Sequence, residues 1–221
     1  MRFESDYFIE IIPKIAAKLN VTLEITLKAM IFALVIGTVV AVIAYYKVKV
    51  LYPITRLYVS LVRGTPIVAQ LYFFYFGLAI YSVTIREMAP ITAVAVVLSI
   101  NMGAFMSESI RAALLSVDTG QKEAAHSLGM TNLQMMRRII LPQAFRVALP
   151  PLFNDIINLI KMSSFAFMLG VPDVMGAAKI EGARTFRYFE IYAAVMLVYW
   201  LVILALSGVH KVIERKCREA Y

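Results

Sequence analysis

Five long apolar stretches divide the sequence. They cover residues 29–46 with the preceding segment VTLEITLK, and residues 64–85, 88–107, 147–172 and 191–210. A membrane-spanning helix needs about 20 predominantly apolar residues, and each stretch is close to that length. The fourth is the weakest candidate because it contains Asp155 and Lys161. The pattern predicts an all-α integral membrane protein with five transmembrane helices.

The first 20 residues have a different pattern. Phe8, Ile12, Ile15 and Leu19 fall on one helical face, and Glu10, Lys14 and Lys18 fall on another. An amphipathic helix of this kind is typical of a segment that lies in the membrane interface. We therefore expect residues 1–20 to form a short interfacial helix on the outer side. The alternative is that these residues are a partly unwound N-terminal extension of the first span.

The distribution of charge predicts the orientation in the membrane. The chain is 61% hydrophobic and carries a net charge of +8. An excess of Lys and Arg can indicate nucleic acid, anionic lipid or membrane topology. Here the basic residues concentrate in residues 47–63, 111–146 and 211–218. The positive-inside rule places those segments in the cytoplasm, so the N-terminus is outside, the C-terminus inside, and no nucleic-acid partner is expected.

The longest connection, between the third and fourth apolar stretches, predicts a helix–Gly–helix elbow. Asp118 or Thr119 can cap a first helix, and Gly129 can adopt the left-handed conformation that ends it. Thr131 or Asn132 can cap a second helix that runs toward Pro142. We expect the first helix to expose two small residues, Ala124 and Ala125, beside the carboxylate of Glu123. Small side chains allow the surface of another protein to approach closely.

The loop resembles the "EAA…G…I-LP" signature of the permease subunits of ATP-binding-cassette (ABC) importers. The matching residues are Glu123, Ala124, Ala125, Gly129, Ile139, Leu141 and Pro142. The resemblance implies the type I importer transmembrane fold over residues 21–221, with a cytoplasmic coupling helix in a loop of about residues 116–146. In that family the short helix inserts into a groove of the ATPase subunit.

Other segments resemble the polar amino-acid branch of these permeases. They include an "RGTP…QL" element, which is Arg63, Gly64, Thr65 and Pro66 followed by Gln70 and Leu71. Its first four residues are expected to have a structural or gating role. Lys161-Met162-Ser163-Ser164 stands where the branch commonly has "KDTS", so the usual acid is missing. Its loss disfavours a cationic cargo, and the neighbouring residues look like those of cystine permeases. Cystine or another non-cationic amino acid is the favoured cargo.

Polar residues inside the predicted spans suggest a lined path, because a charge facing lipid is costly. The candidates for substrate contact are Gln70, Asn101, Glu108, Asn158, Lys161, Ser163 and Ser164. Lys161 and Glu108 are further expected to form an ion pair. The alternative is that such side chains only hold helices together, and this is favoured for Asn154.

The expected function is the membrane subunit of an amino-acid importer in the bacterial inner membrane. The chain has no G-x-x-x-x-G-K-[ST] phosphate loop, so it is not expected to be an enzyme or to bind a cofactor. By resemblance, ATP and Mg²⁺ bind to a dimer of separate ATPase subunits. A second permease chain, identical or related, and an extracytoplasmic amino-acid-binding protein complete the assembly.

Two other classes of function are alternatives to an importer subunit. A self-contained secondary transporter or channel would not need the elbow as a surface for another protein. An intramembrane enzyme would need paired aspartates, a Ser/His arrangement or a metal cluster. Cys217 is the only cysteine, and His126 and His210 lack the spacing of metal ligands, so no metal site is predicted.

Overall fold

The computed structural model describes residues 3–218, and every regular element in that range is helical. The long helices are α2 (Leu19–Tyr46), α3 (Leu51–Gly64), α6 (Pro90–Leu115), α9 (Leu141–Ser163) and α11 (Tyr188–Arg218). The shorter ones are α1 (Ser5–Ala16), α4 (Ile67–Tyr72), α5 (Val83–Arg86), α7 (Thr119–Ser127), α8 (Asn132–Met135) and α10 (Val174–Thr185). A π-helical turn, Met136–Ile140, joins α8 to α9.

Within residues 3–218, four helical stretches are long and apolar enough to cross a membrane, and a bent pair makes a fifth. The four are Ser5–Tyr46, Pro90–Leu115, Asn132–Leu169 and Tyr188–Cys217. The pair consists of α3 and the helical run Ile67–Ile80, which meet at an angle of 110°. The predicted all-α fold with five spans is therefore confirmed, if the bent pair counts as one span.

Two predicted boundaries are wrong. The second span is not a helix over residues 64–85, because Gly64 ends α3 and the chain turns at Pro66 before α4 begins. The fourth span begins before residue 147, because α9 starts at Leu141 and contains Pro142, Pro150 and Pro151. A proline inside a helix removes one backbone hydrogen bond, but tertiary packing can hold the helix together.

Close contact between α2 and α6 forms the centre of the fold. Ala29, Ala33, Gly37 and Ala41 recur every four residues along α2, and all are buried. Small residues at this spacing let two helix backbones approach closely within a membrane. At the crossing, a Cβ atom on Gly37 would lie 3.0 Å from the Cβ of Met106. This crossing positions α6, which carries several of the candidate substrate residues.

α1 packs against α10 and α11 at one end of the molecule. Its Ile11 and Ile15 are buried against α10 and α11, and the hydroxyl of Tyr7 donates a hydrogen bond to Glu181, 3.0 Å away. Arg187 pairs with Glu4 beside this contact. The helix predicted within residues 1–20 is thus present over Ser5–Ala16, while its place in the outer interface stays a prediction.

A buried carboxyl group, Asp173, begins α10. One oxygen accepts a hydrogen bond from the backbone N–H of Gly176 at 2.8 Å, and the other has no hydrogen-bond partner within the described residues. Burial raises the pKa of Asp173 to about 6. A carboxyl group that is easier to protonate when folded destabilises the fold once it is ionised.

We expect Gly103→Ala to lower the stability of the α2–α6 crossing. An added Cβ would lie 2.7 Å from Cγ2 of Ile36, and overpacking of this kind typically costs about 1–3 kcal/mol. Thermal unfolding in detergent measures the loss. Gly208→Ala is the matched control, because a Cβ at Gly208 of α11 meets no atom within 4 Å. Equal melting temperatures for the two variants would contradict the proposed close contact.

The Asp173 carboxyl predicts a pH dependence of stability. An exposed aspartate titrates near 3.9, so stability should fall by about 3 kcal/mol as the pH rises from ~4 to ~6 and then level off. Asp173→Asn keeps an acceptor for Gly176 and should abolish that fall. Asp118→Asn changes an exposed helix N-cap of the same kind, at the start of α7. This variant should still show the fall in stability with rising pH. Melting curves measured between pH 4 and 7 test this prediction. An equal fall in the stability of Asp173→Asn would contradict the assignment of the pH dependence to Asp173.

Candidate transport cavity and coupling elbow

A cavity of about 390 Å³ lies where α3, α4, α6 and α9 meet. Its polar lining comprises Arg63, Thr65, Asn101, Asp155, Asn158 and Lys161. The remainder of the wall is apolar and includes Met102, Phe105 and Met162. A mostly apolar cavity with a few convergent polar groups is typical of a small-molecule site.

The cavity has charged groups of both signs. Lys161 and Arg63 contribute positive charge, and the Arg63 guanidinium lies 5.2 Å from the ring centre of Phe105. Asp155 contributes the negative charge and accepts a hydrogen bond from Ser109 on α6 at 3.1 Å. The chemistry of this lining suits a molecule that carries both a carboxylate and an ammonium group.

Two adjacent amide side chains lie at the cavity wall. Asn101 of α6 lines the cavity, and its Nδ2 donates a hydrogen bond to Oε1 of Gln70 at 2.9 Å. Gln70 is half-buried behind it, and its own Nε2 donates back to the end of α3. The structure therefore brings together Asn101, Asn158 and Lys161 from the predicted path, with Gln70 in direct contact with Asn101.

Other residues of the predicted path lie elsewhere. Glu108 is one helical turn or more beyond the cavity on α6 and forms its ion pair with Arg111, at 2.6 Å. The predicted Lys161–Glu108 ion pair is therefore wrong, because a partner three residues away on the same helix holds the carboxylate. The hydroxyls of Ser163 and Ser164 donate to backbone carbonyls within their own helical segment and do not line the cavity.

Asp155 is the cavity residue that sequence reasoning missed. The predicted polar stripe joined Asn154, Asn158 and Lys161, but Asn154 is exposed and lies outside the cavity. Asp155 and Asn158, three residues apart, share the inward face. A carboxylate within an otherwise apolar span was the signal that could have found it.

The predicted elbow is present at the cytoplasmic end. Asp118 caps α7 by accepting a hydrogen bond from Gly120 N–H at 3.0 Å. At the other end Gly129 has a φ of +73°, and the N–H of Met130 donates to the carbonyl of Ala125 at 3.1 Å. This arrangement is a Schellman motif, which favours glycine because its φ is positive. Thr131 then begins α8 with a capping box.

One face of α7 is packed against the rest of the protein. Ala125 is only 1% exposed and belongs to a cluster with Ala113 and Leu114 of α6, Met135 and Ala144. The prediction that Ala125 is exposed is therefore wrong: its small side chain lets α7 lie close to α6 and α9. The Lys122 ammonium also lies 5.5 Å from the ring centre of Tyr45, so α7 is at the same end of the molecule as the end of α2.

The opposite face of the elbow is open. Glu123 and Ala124 are exposed, and two leucines, Leu128 and Leu133, are 82% and 66% exposed. Large apolar side chains with so little cover in an aqueous loop suggest a surface that another protein occupies. Among the other residues of the signature, Ile139 is half-buried, and Leu141 and Pro142 are exposed. Their role in ATPase coupling stays a prediction.

A continuous helical path joins the elbow to the cavity. The path runs from Asn132 through the π-helical turn and along α9. Asp155 and Lys161 therefore lie on the same continuous helical stretch as α8. A helix of that length spans roughly 48 Å. The elbow and the cavity wall are therefore joined without a break in the helical path.

Comparison with protein families identifies the class of the chain. Residues 33–219 match the family of binding-protein-dependent transport system inner membrane components. The chain belongs to this family. The permease is therefore a multi-pass protein of the bacterial inner membrane, as its sequence predicted, and the resemblance to ABC importer permeases is confirmed.

Individual relatives cover most or all of the permease. It is 40% identical over its whole length to the probable amino-acid ABC transporter permease protein PatM of Vibrio harveyi, covering 99% of that protein. It is 40% identical to the L-cystine transport system permease protein TcyB of Bacillus subtilis, over 77% of this chain and 72% of TcyB. The arginine transport system permease protein ArtQ of the same organism is 39% identical, over 75% and 74% of the two chains.

A solved structure supports the same assignment. The permease superposes on a chain of an amino acid ABC transporter, solved with histidines, with a TM-score of 0.90 and 32% identity. The alignment covers 98% of the permease and 100% of that chain. The type I importer fold predicted from the sequence is confirmed.

Proposed function

We propose that the permease is the membrane subunit of an ATP-driven amino-acid importer, in which the elbow docks on the ATPase and the cavity passes the substrate. The observation that carries the proposal is the continuous helix from the exposed elbow to the polar cavity. The amino-acid ABC transporters among its relatives support the substrate class.

The exposed face of α7 is the proposed docking surface for the ATPase. Glu123 supplies a polar anchor, Ala124 allows close approach, and Leu128 supplies apolar area. ATP and Mg²⁺ bind to a pair of ATPase subunits, so the permease binds no cofactor of its own. Closure of that pair moves α7, and α9 carries the movement to the cavity wall, so that access alternates between the two sides.

A second permease chain covers the open side of the cavity. Arg63 and Lys161 are exposed in the single chain although they belong to membrane-spanning segments. Charged groups in such segments almost always face the protein interior or a water-filled cavity. A second copy or a close relative gives them that environment. Outside the cell, an amino-acid-binding protein delivers the substrate.

The charges of the cavity favour a non-cationic amino acid, with cystine as the preferred candidate. Two cations and one carboxylate line it, and Met162 occupies the wall where related permeases commonly have an acid. The carboxylate of the substrate faces Lys161 and Arg63, while its ammonium faces the carboxylate of Asp155. The permease has nearly the same sequence identity to a cystine permease and to an arginine permease, so these identities do not distinguish the two cargoes.

A self-contained secondary transporter or channel is not favoured. Family membership and the open face of the elbow both indicate a protein that works with partners. The two functions differ in their energy source, which is ATP in one and an ion gradient in the other.

The elbow provides the test of the proposal. In proteoliposomes that contain the assembled importer and its binding protein, Gly129→Val should lower ATP-driven uptake roughly tenfold, the equivalent of ~1.4 kcal/mol. The reason is that a β-branched residue is strained at a φ of +73°. Gly129→Asn should retain most of the uptake, because Asn tolerates that conformation. Gly208→Ala serves as a control outside the elbow.

Two results would contradict the proposal. One is full uptake by Gly129→Val in a complex that retains its ATPase. The other is uptake by the purified permease alone, driven by an ion gradient. Co-purification of the ATPase with each variant separates loss of docking from loss of coupling.

A further inference from the structure

A second cavity, of about 400 Å³ and basic in character, lies where the end of α2, the start of α3 and the end of α6 meet. Its charged lining residues are Lys47, Arg56, Arg111 and Glu108. Glu108 already pairs with Arg111 at 2.6 Å, so the lining carries an excess of two positive charges. This basic cavity shares no lining residue with the transport cavity.

The two other cations of the basic cavity have no acidic partner. Lys47 and Arg56 are exposed, and neither forms an ion pair within residues 3–218. The Arg56 guanidinium lies 5.9 Å from the ring centre of Tyr52. A single unpaired lysine or arginine on a protein surface is ordinary. Two that line one concave site create a local positive potential, which attracts an anion.

The backbone at Lys47 is strained. Lys47 ends α2 with a φ of +48°, one of only two positive φ values at non-glycine residues within residues 3–218. Glycine is the usual residue at a helix end of this conformation, because it lacks a Cβ. Backbone strain of this kind often occurs at functional positions. The lysine therefore adds a cation to the cavity lining at a position where glycine would suit the backbone better.

The basic cavity lies at the ends of membrane-spanning segments. α2, α6 and the bent pair that begins with α3 all belong to such segments. Leu51 and Ile54 of α3 are exposed at this end, and the exposed Leu115 is part of the lining. Tyr45 and Tyr52 also line the cavity, and tyrosine is enriched at the level of lipid headgroups. Cations, tyrosines and an apolar border together suit a lipid headgroup that lies beside its acyl chains.

We propose that the basic cavity binds the headgroup of an anionic phospholipid. Lys47 and Arg56 hold the phosphate, because an ammonium is a compact cationic donor and a guanidinium can donate two parallel hydrogen bonds to phosphate oxygens. The positive-inside rule places this end of the molecule in the cytoplasm, where basic pockets between spanning helices are typical sites for such headgroups. The cavity is larger than a phosphate ion needs and leaves room for the glycerol group of phosphatidylglycerol. The proposal depends neither on the cargo nor on ATPase docking.

The lipid selectivity of the purified permease–ATPase complex tests the proposal. The complex, in a neutral detergent, is mixed with equal amounts of phosphatidylglycerol and phosphatidylcholine that carry the same acyl chains. Native mass spectrometry then measures how much of each lipid is bound. Both lipids contain a phosphate, but only phosphatidylglycerol has a net negative charge. Wild type should bind phosphatidylglycerol at least tenfold more tightly, since each cation near an anionic headgroup contributes about fivefold.

Matched substitutions separate the basic cavity from general surface charge. Lys47→Asn combined with Arg56→Gln removes both unpaired cations, and Asn tolerates the positive φ, so the preference should fall below threefold. Lys49→Gln combined with Lys211→Gln removes the same charge from exposed positions outside the cavity and should change the preference less than twofold. Arg56→Lys keeps the charge and should retain most of the preference.

Three results would overturn the proposal. They are the absence of a preference for phosphatidylglycerol in wild type, an unchanged preference in the cavity double variant, and an equal loss in the control double variant. Excess inorganic phosphate, added at constant ionic strength, distinguishes a lipid site from a site for free phosphate. Phosphatidylglycerol that stays bound supports the lipid site, and its displacement would overturn it. A preference that appears only after the ATPase is removed would also overturn it, because it would assign the cavity to an acidic surface of the ATPase.

Discussion

The rest of the structure depends on the replacement of one missing backbone donor. Within a bilayer every backbone polar group must find a partner inside the protein, and Pro66 deprives the carbonyl of Val62 of its helical partner. Gln70 supplies the hydrogen bond instead. This lets the chain turn by 110° between α3 and α4 without leaving that carbonyl unsatisfied. The same turn brings both helices to the wall of the cavity, where Gln70 also accepts a hydrogen bond from Asn101.

Two structural features connect the elbow to the cavity, namely the turn at Gly129 and the helix that follows it. At the cytoplasmic end, the Schellman motif at Gly129 and the capping box at Thr131 define the angle between α7 and α8. From there a continuous helix leads to the cavity, and the packing of Ala125 holds α7 against it. The prolines of α9 do not interrupt this path, and Pro150 retains a contact with His210 of α11 at 3.1 Å. We propose that this path carries a displacement of the elbow to one wall of the cavity.

The sequence predicted the features that depend on local chemistry. Apolar length predicted the spans, and the positive φ that suits Gly129 predicted the elbow. The features that depend on neighbouring helices could not be read from one helix at a time. Ala125 is buried because α6 passes beside it. The Glu108–Arg111 pair, in contrast, is local to α6, and the spacing of three residues could have predicted it. The face that Asp155 shares with Asn158 became apparent only from the packing of α6 against α9.

The proposed coupling requires that α9 move with the elbow and change its distance from α3. Pulsed EPR tests it on the assembled importer, with Cys217 replaced and labelled chains diluted by unlabelled ones. One pair of spin labels at His126 and Asn154 measures the distance from the elbow to α9, and a second pair at Asn154 and Leu57 measures the distance across the cavity; all three positions are exposed. The account predicts that ATP binding changes the second distance and leaves the first unchanged. A change in the first distance with a constant second distance would contradict it.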